Sequence, residues 1–346
     1  MAGAMDFELA AAVSEAGGLG SLPAAMLTPD QLRDQVAKFR SRTVKPLNVN
    51  FFCHAPPTPD PAREARWRER LMPYYREFGL DAAAAPPFAV RAPFDGAFCS
   101  VVEETRPEVV SFHFGLPSRE LVARVKAAGA VVLSSATTVA EARWLAEHGV
   151  DAVIAQGLEA GGHRGMFLIE NIAGQVGALA LIPQVVDAVD LPVIAAGGIA
   201  DVRGIVATLA LGAAGVQLGT AYLHCPEAKI SAPHREALAN ACADATALTN
   251  LISGRPARGI VNRLMHEVGP ISDIAPEFPL ASGALAPLRA AAEARGLGDF
   301  SPLWAGQAAA LGRALPAGEL TRRLATETLE LLRALSGSTA APARSS

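Results

Sequence analysis

Glycine pairs set directly after short apolar runs constrain this chain more than any other feature. Residues 155–164 (AQGLEAGGHR) and 192–220 (PVIAAGGIADVRGIVATLALGAAGVQLGT) each carry a β-branched or apolar run that ends in glycines. The second stretch adds a helix-length segment and another such run. That is the layout of consecutive β/α units, whose backbone N–H groups at strand ends suit a phosphate. His163 follows Gly161-Gly162 at the carboxyl end of its strand, the end where barrels place their chemistry.

The same rhythm runs along most of the chain. Extended runs are predicted at residues 19–22, 47–52, 109–114, 131–136, 152–156, 193–196 and 216–218, with helical segments such as 118–128, 138–148 and 182–189 between them. A first helix over 6–16, with Phe7, Leu9, Ala10 and Val13 at helical spacing, stops at Gly17-Gly18. Alternating strand and helix means a parallel sheet. The steady spacing from Val109 onward predicts an α/β fold of the TIM-type (β/α)8 barrel class rather than an open doubly wound sheet. A closed barrel takes eight strands. The runs number one fewer, and a helix opens the chain, so the expectation is a barrel lacking its first strand.

Two regions break the rhythm. Residues 56–107, rich in proline and arginine, read as an insertion in a 1–224 barrel, with a helix at 62–77 and an extended piece near 98–102. Residues 225–302 read as a smaller, mostly helical lobe over the barrel mouth, with helices at 228–243 and 285–294. Residues 303–335 supply closing helices (307–315 and 320–335), and 336–346 a disordered tail.

The 346 residues can bury one large core plus a satellite. A composition that is 51% hydrophobic and 18% charged, with net charge −4, suits a sheet covered on both faces. Dispersed arginines, offset by acids, argue against a nucleic-acid partner. No apolar run reaches the ~20 residues needed to span a bilayer, and the N-terminus lacks the basic flank of a signal peptide. The four cysteines (Cys53, Cys99, Cys225, Cys242) have no metal-type spacing, so no metal site is expected. They fit a reduced, cytoplasmic protein.

Several residues then become candidates for binding or chemistry. Gly197-Gly198, ahead of Asp201 at a helix start, and Gln217-Leu218-Gly219-Thr220 after the next strand read as two cradles for a phosphate, the alternative being two tight βα turns that hold nothing. Gln156 ends a strand, where its amide can both donate to and accept from a planar heterocycle. Glu159 supports the turn, and Gly161-Gly162 let the chain run close under a ligand. His163 is either a hydrogen-bonded structural histidine or a proton acceptor near neutral pH. Asn48 and Asn50 share a strand face, with Asn50 nearer the mouth and facing a ligand or capping a turn. His113 serves as pocket floor or core histidine. Arg255, Arg258 and Arg263 read as solvated or salt-bridged in preference to substrate contacts.

Taken in order, residues 16–22 (AGGLGSL), 46–52 (PLNVNFF), 156–165 (QGLEAGGHRG), 195–204 (AAGGIADVRG), 215–223 (GVQLGTAYL), 253–263 (SGRPARGIVNR) and 303–307 (LWAGQ) resemble the nitronate monooxygenase family. The resemblance runs from Met1 to about Leu335. It implies a TIM-type barrel holding FMN without a covalent link. By that resemblance FMN contacts fall on Asn50, Gln156, Gly161, Gly162, Gly197, Gly198, Gln217, Leu218, Gly219 and Thr220. His163 becomes the base over the flavin, and Gln307 approaches the ring. The implied reaction is oxidation of alkyl nitronates, and of nitroalkanes after loss of their α-proton, by O2. It gives carbonyl compounds and nitrite through a flavin semiquinone. Family members open with a strand ending in a Pro-Met-Ala-Gly-like turn, of which Met1-Ala2-Gly3 resembles the tail. The expectation is therefore a chain begun at an internal methionine of a longer reading frame.

Two other functions fit the same residues. One is an FMN-dependent NAD(P)H reductase, acting on enoyl-ACP or quinone, on the same scaffold. The other is a truncated, flavin-binding scaffold without turnover.

Overall fold

The computed structural model describes residues 2–81 and 92–338. Its frame is a parallel sheet built from β1 (Gly20–Pro23), β2 (Leu47–Phe52), β3 (Val109–His113), β4 (Val131–Ala136) and β5 (Ala152–Gln156). After a two-residue strand β6 (Gly162–His163), which lies elsewhere, it continues with β7 (Val193–Ala196) and β8 (Gly215–Gln217). The order β1-β2-β3-β4-β5-β7-β8 pairs each strand with the next in the barrel sequence. Among the described residues β1 and β8 do not pair, so the TIM-type barrel has one open seam. This matches the expected strand set.

Helices cover the outside. Their starts follow from side-chain caps that satisfy otherwise orphaned N–H groups. Thr28 and Gln31 form a capping box on the helix Pro29–Arg42. Asp95, Ser118, Thr138 and Asp201 cap the helices that begin at Gly96, Arg119, Val139 and Val202. The helix Phe7–Glu15 lies so close to β1 that a Cβ on Gly20 would stand 2.0 Å from the Ala10 carbonyl oxygen. The last helix, Ala317–Ser338, packs against both Phe7–Glu15 and Val202–Ala210 and so fills the ring of helices across the seam.

The barrel interior is unusually polar near its axis. Asn48 donates from Nδ2 to Ser21 Oγ (2.8 Å) and Ser111 Oγ (2.9 Å), and Asn50 Nδ2 reaches the same Ser111 Oγ at 2.9 Å. The two asparagines therefore share a face, as strand alternation requires.

The smaller lobe differs from the sequence reading in three ways. It contains β9 (Thr246–Thr249) and β10 (Ala257–Ile260), antiparallel to each other, and β10 also pairs with β6 from the barrel side. Its core takes in the insertion helix Pro61–Phe78. Trp67, Leu71, Tyr74 and Tyr75 pack with Leu264, Leu285, Leu288 and Phe300, and Trp67 Nε1 donates to Ala281 O at 3.2 Å. The insertion thus belongs to the lobe on its amino side. On its carboxyl side, Gly96–Thr105 is a barrel helix capped by Asp95, where an extended piece was expected at 98–102.

Of the expected closing helix at 307–315, only the short 3-10 turn Ala309–Leu311 forms. Residues 336–338 extend the last helix, and the rest of the expected tail, 339–346, lies outside the described residues. Among the described residues no helix is long and apolar enough to cross a membrane, and no group of residues suits a metal ion. All four cysteines are free thiols.

Candidate active site

His163 lies where the barrel and the lobe meet. Gly162 takes φ +73°, a left-handed turn that bends the chain away from β5 and into register with β10. There His163 pairs with Ala257, and Arg164 N donates to Pro256 O at 2.8 Å. The His163 carbonyl oxygen accepts from Gln156 Nε2 (3.0 Å) and His113 Nε2 (3.2 Å). Its ring nitrogen Nε2 lies 2.8 Å from Ser253 Oγ in the lobe. Phe278 and Trp304 flank the imidazole with ring centroids at 5.3 and 5.5 Å, and Phe52 and Phe114 complete an aromatic surround at about 6 Å. The base candidate is held on its backbone and on its ring.

Gln156 accepts from Gly165 N (2.7 Å) as well as donating to His163, so its amide chiefly shapes its own loop and keeps one N–H for a ligand. Asn50 directs its NH2 to Ser111 and has its carbonyl oxygen to offer. His113 is neutral: Nε2–H donates to a carbonyl, Nδ1 accepts from Ser135 Oγ (3.0 Å), and burial holds its pKa down to about 3. It works as a half-buried donor beneath the His163 loop.

The two glycine cradles are adjacent because β7 and β8 are hydrogen-bonded neighbours, with Ala196 opposite Gln217. Parallel strands lie about 4.8 Å apart, so both turns open on one rim. Gly197 and Gly198 adopt φ +102° and +71°. Beside Gly219 and Gly162 there is open space where a Cβ would stand. The segment 304–307 closes over this rim. Gly306 N donates to Thr220 Oγ1 (2.9 Å), and Gln307 N donates to Glu159 O (3.0 Å). Gln307 therefore reaches the site through its backbone, with its side chain exposed. The Glu159 carboxylate accepts from Ala178 N (2.9 Å) and caps the helix Ala178–Val186.

Behind the 156–166 loop stand three buried or half-buried guanidiniums. Arg164 is fully buried and donates to Gly157 O, Gln156 O and Gln175 Oε1. Arg258, also buried, donates to Leu158 O. Arg255 donates to Met166 O and lies 4.0 Å over the Phe114 ring, with its Nε buried and without a hydrogen-bond partner. Among the described residues none of the three has a carboxylate ion-pair partner. Burial lowers the pKa of Arg164 and Arg255 to about 10, which leaves both charged near neutrality. The expectation of a solvated or salt-bridged cluster holds for Arg263, paired with Glu77 and Glu267, and fails for Arg255 and Arg258. Neutral carbonyls accept from these two, and carboxylates (Glu141, Glu170 and Glu277 for Arg255, Glu159 for Arg258) act on them through charge without forming an ion pair.

The family model described as nitronate monooxygenase matches residues 1–327. The chain belongs to the nitronate monooxygenase family. It is 46% identical over 325 residues to a nitronate monooxygenase of Pseudomonas aeruginosa, covering 92% of each chain. It is 44% identical to one of Paraburkholderia phytofirmans, over 94% of this chain and 90% of that one. Among solved structures it resembles a nitroalkane oxidase from Streptomyces ansochromogenes, with TM-score 0.88, 41% identity, and 97% and 95% of the two chains covered. FabK from Thermotoga maritima is similar with TM-score 0.70 at 28% identity, covering 98% and 93%.

Within this family fold, the structure brings Gln156, Gly161, Gly162 and His163 together with Thr220 through the 304–307 segment. Ser253, Phe278 and Trp304 were not singled out as site residues. The only sequence signal for them was that Ser253 and Trp304 lie inside the stretches carrying the family resemblance.

Proposed function

We propose that this chain oxidises alkyl nitronates with bound FMN and O2, giving carbonyl compounds and nitrite, and accepts neutral nitroalkanes after deprotonation by His163. The observation that carries the reading is the meeting of two glycine turns on one rim with an anchored imidazole beside it.

The residues fit FMN. The N–H groups around Gly197-Gly198 and Gly219-Thr220 would hold its phosphate, and the space beside Gly162 and Gly219 leaves room that a side chain would fill. Asn50, Gln156, Gly161, Gln217 and Leu218 would line the rest. When bound, FMN supplies the acceptor for electrons leaving the nitronate.

The chain's own residues do the remaining work. His163 takes the α-proton of a neutral nitroalkane, and the C–H electron pair moves into the C–N bond to form the nitronate. Phe278, Trp304 and Phe114 keep water from that carbon. Arg255, buried and without a carboxylate ion pair among the described residues, would favour the nitronate, an anion, over its neutral parent.

An absorbance spectrum of the purified protein, anaerobic titration with propionate 3-nitronate and a nitrite assay test the reading. Flavin bleaching by the nitronate, with nitrite formed on admitting air, supports it. An NAD(P)H-dependent reductase on the same scaffold is the second reading. Rapid anaerobic bleaching by NADH or NADPH, with none by nitronate, favours that one. FMN-loaded protein bleached by neither nitronate nor pyridine nucleotide favours the flavin-binding scaffold without turnover, and colourless protein that takes up no FMN overturns the reading.

A further inference from the structure

We infer that Ser253 is the residue that sets the tautomer of His163, so that Nε2 carries the ring proton and Nδ1 is the nitrogen that accepts the substrate proton. The inference rests on His163 acting as the base.

Ser253 is 1% exposed, too enclosed to act on a substrate itself, and sits in the lobe 90 residues from the imidazole it touches. Its hydroxyl has one hydrogen and two neighbours: His163 Nε2 at 2.8 Å and the Arg255 carbonyl oxygen at 3.4 Å. A carbonyl oxygen can only accept. Ser253 satisfies both contacts in one arrangement alone, donating to Arg255 O and accepting Nε2–H from His163. The lone pair of the neutral imidazole then falls on Nδ1.

The same contact favours the product of the proton transfer. When the substrate C–H bond breaks, its pair enters the forming C=N bond and its proton goes to Nδ1, leaving an imidazolium. The Nε2–H to Ser253 bond then becomes charge-assisted and strengthens. The strand pairing with Ala257 fixes the His163 backbone, and Phe278 and Trp304 packed at 5.3 and 5.5 Å hinder the ring from turning to present its other nitrogen. Ser253 is a positioning residue in this scheme.

Histidine 15N resonances of the FMN-loaded protein, assigned by comparison with His163→Asn, report the tautomer directly. The wild type is expected to show His163 protonated at Nε2, Ser253→Ala a mixture of tautomers, and Ser253→Thr the wild-type pattern. With flavin content unchanged, Ser253→Ala is expected to lower kcat on nitroethane about 10²-fold with little change in KM. The loss on ethyl nitronate is expected to be far smaller.

A wild-type His163 protonated at Nδ1 overturns the inference. So does Ser253→Ala acting equally on both substrates, or on neither. A wild type inactive on ethyl nitronate sinks the proposed function instead, and the 15N pattern still decides the tautomer.

Discussion

Gly161 and Gly306 meet backbone to backbone: a Cβ on Gly161 would stand 2.5 Å from Gly306 N and 2.6 Å from the Ala305 carbonyl carbon. No flexible side chain is available there to move aside. Gly161→Ala is therefore expected to push the 304–307 segment off the rim, destabilising the fold by about 1–3 kcal/mol. Flavin affinity is expected to fall with it. Thermal unfolding and FMN titration check this, and wild-type values in both would refute the packing argument.

His163→Asn removes the proton acceptor while keeping a polar side chain of similar reach. Turnover of neutral nitroalkanes is expected to drop ~10²–10⁴-fold, and turnover of preformed nitronates much less. Steady-state nitrite assays on the two substrate forms decide the matter. Equal losses would remove the base assignment.

Ser111 Oγ accepts from both Asn48 and Asn50. Ser111→Ala takes one acceptor from the buried Asn48 amide and one from the half-buried Asn50 amide, at about 1–3 kcal/mol. Chemical denaturation should show that loss. An unchanged midpoint would mean that the polar axis of the barrel contributes nothing to stability.

Two desolvated imidazoles, one buried and one half-buried, make stability depend on pH. Burial lowers the pKa of His113 to about 3 and of His234 to about 4, from an ordinary 6.5, and each donates to a carbonyl as a neutral ring. Between those values and 6.5 the unfolded chain binds more protons than the native one. Stability therefore rises with pH across this window and is lost as the pH falls. Each site contributes up to about 1.4 kcal/mol per pH unit. His234→Asn is expected to flatten the slope of unfolding free energy between pH 4.5 and 6.5 by up to one proton. An undiminished slope would contradict the assignment.

Local pattern carried most of the barrel. Strands such as Leu47–Phe52 and Ala152–Gln156 are buried on both sides and read as unbroken apolar runs ending in turn residues. The lobe was harder because its order is non-local. Thr246–Thr249 and Ala257–Ile260 are short and lack alternation, and their pairing with Gly162–His163 joins segments far apart in the chain. For the same reason His163 was legible as a candidate while its partner Ser253 was not. Phe98–Val102 misled because β-branched and aromatic residues suggest a strand, whereas the Asp95 cap starts a helix there. Arg258 misled because charge predicts exposure, and only the folded chain shows the carbonyl that lets it be buried.

The strand Gly162–His163 leaves the barrel only to be stitched into the lobe's sheet. Swinging the lobe aside would draw the imidazole away with it. The reach of the proposed base toward a ligand is thus set by where the lobe rests against the barrel rim.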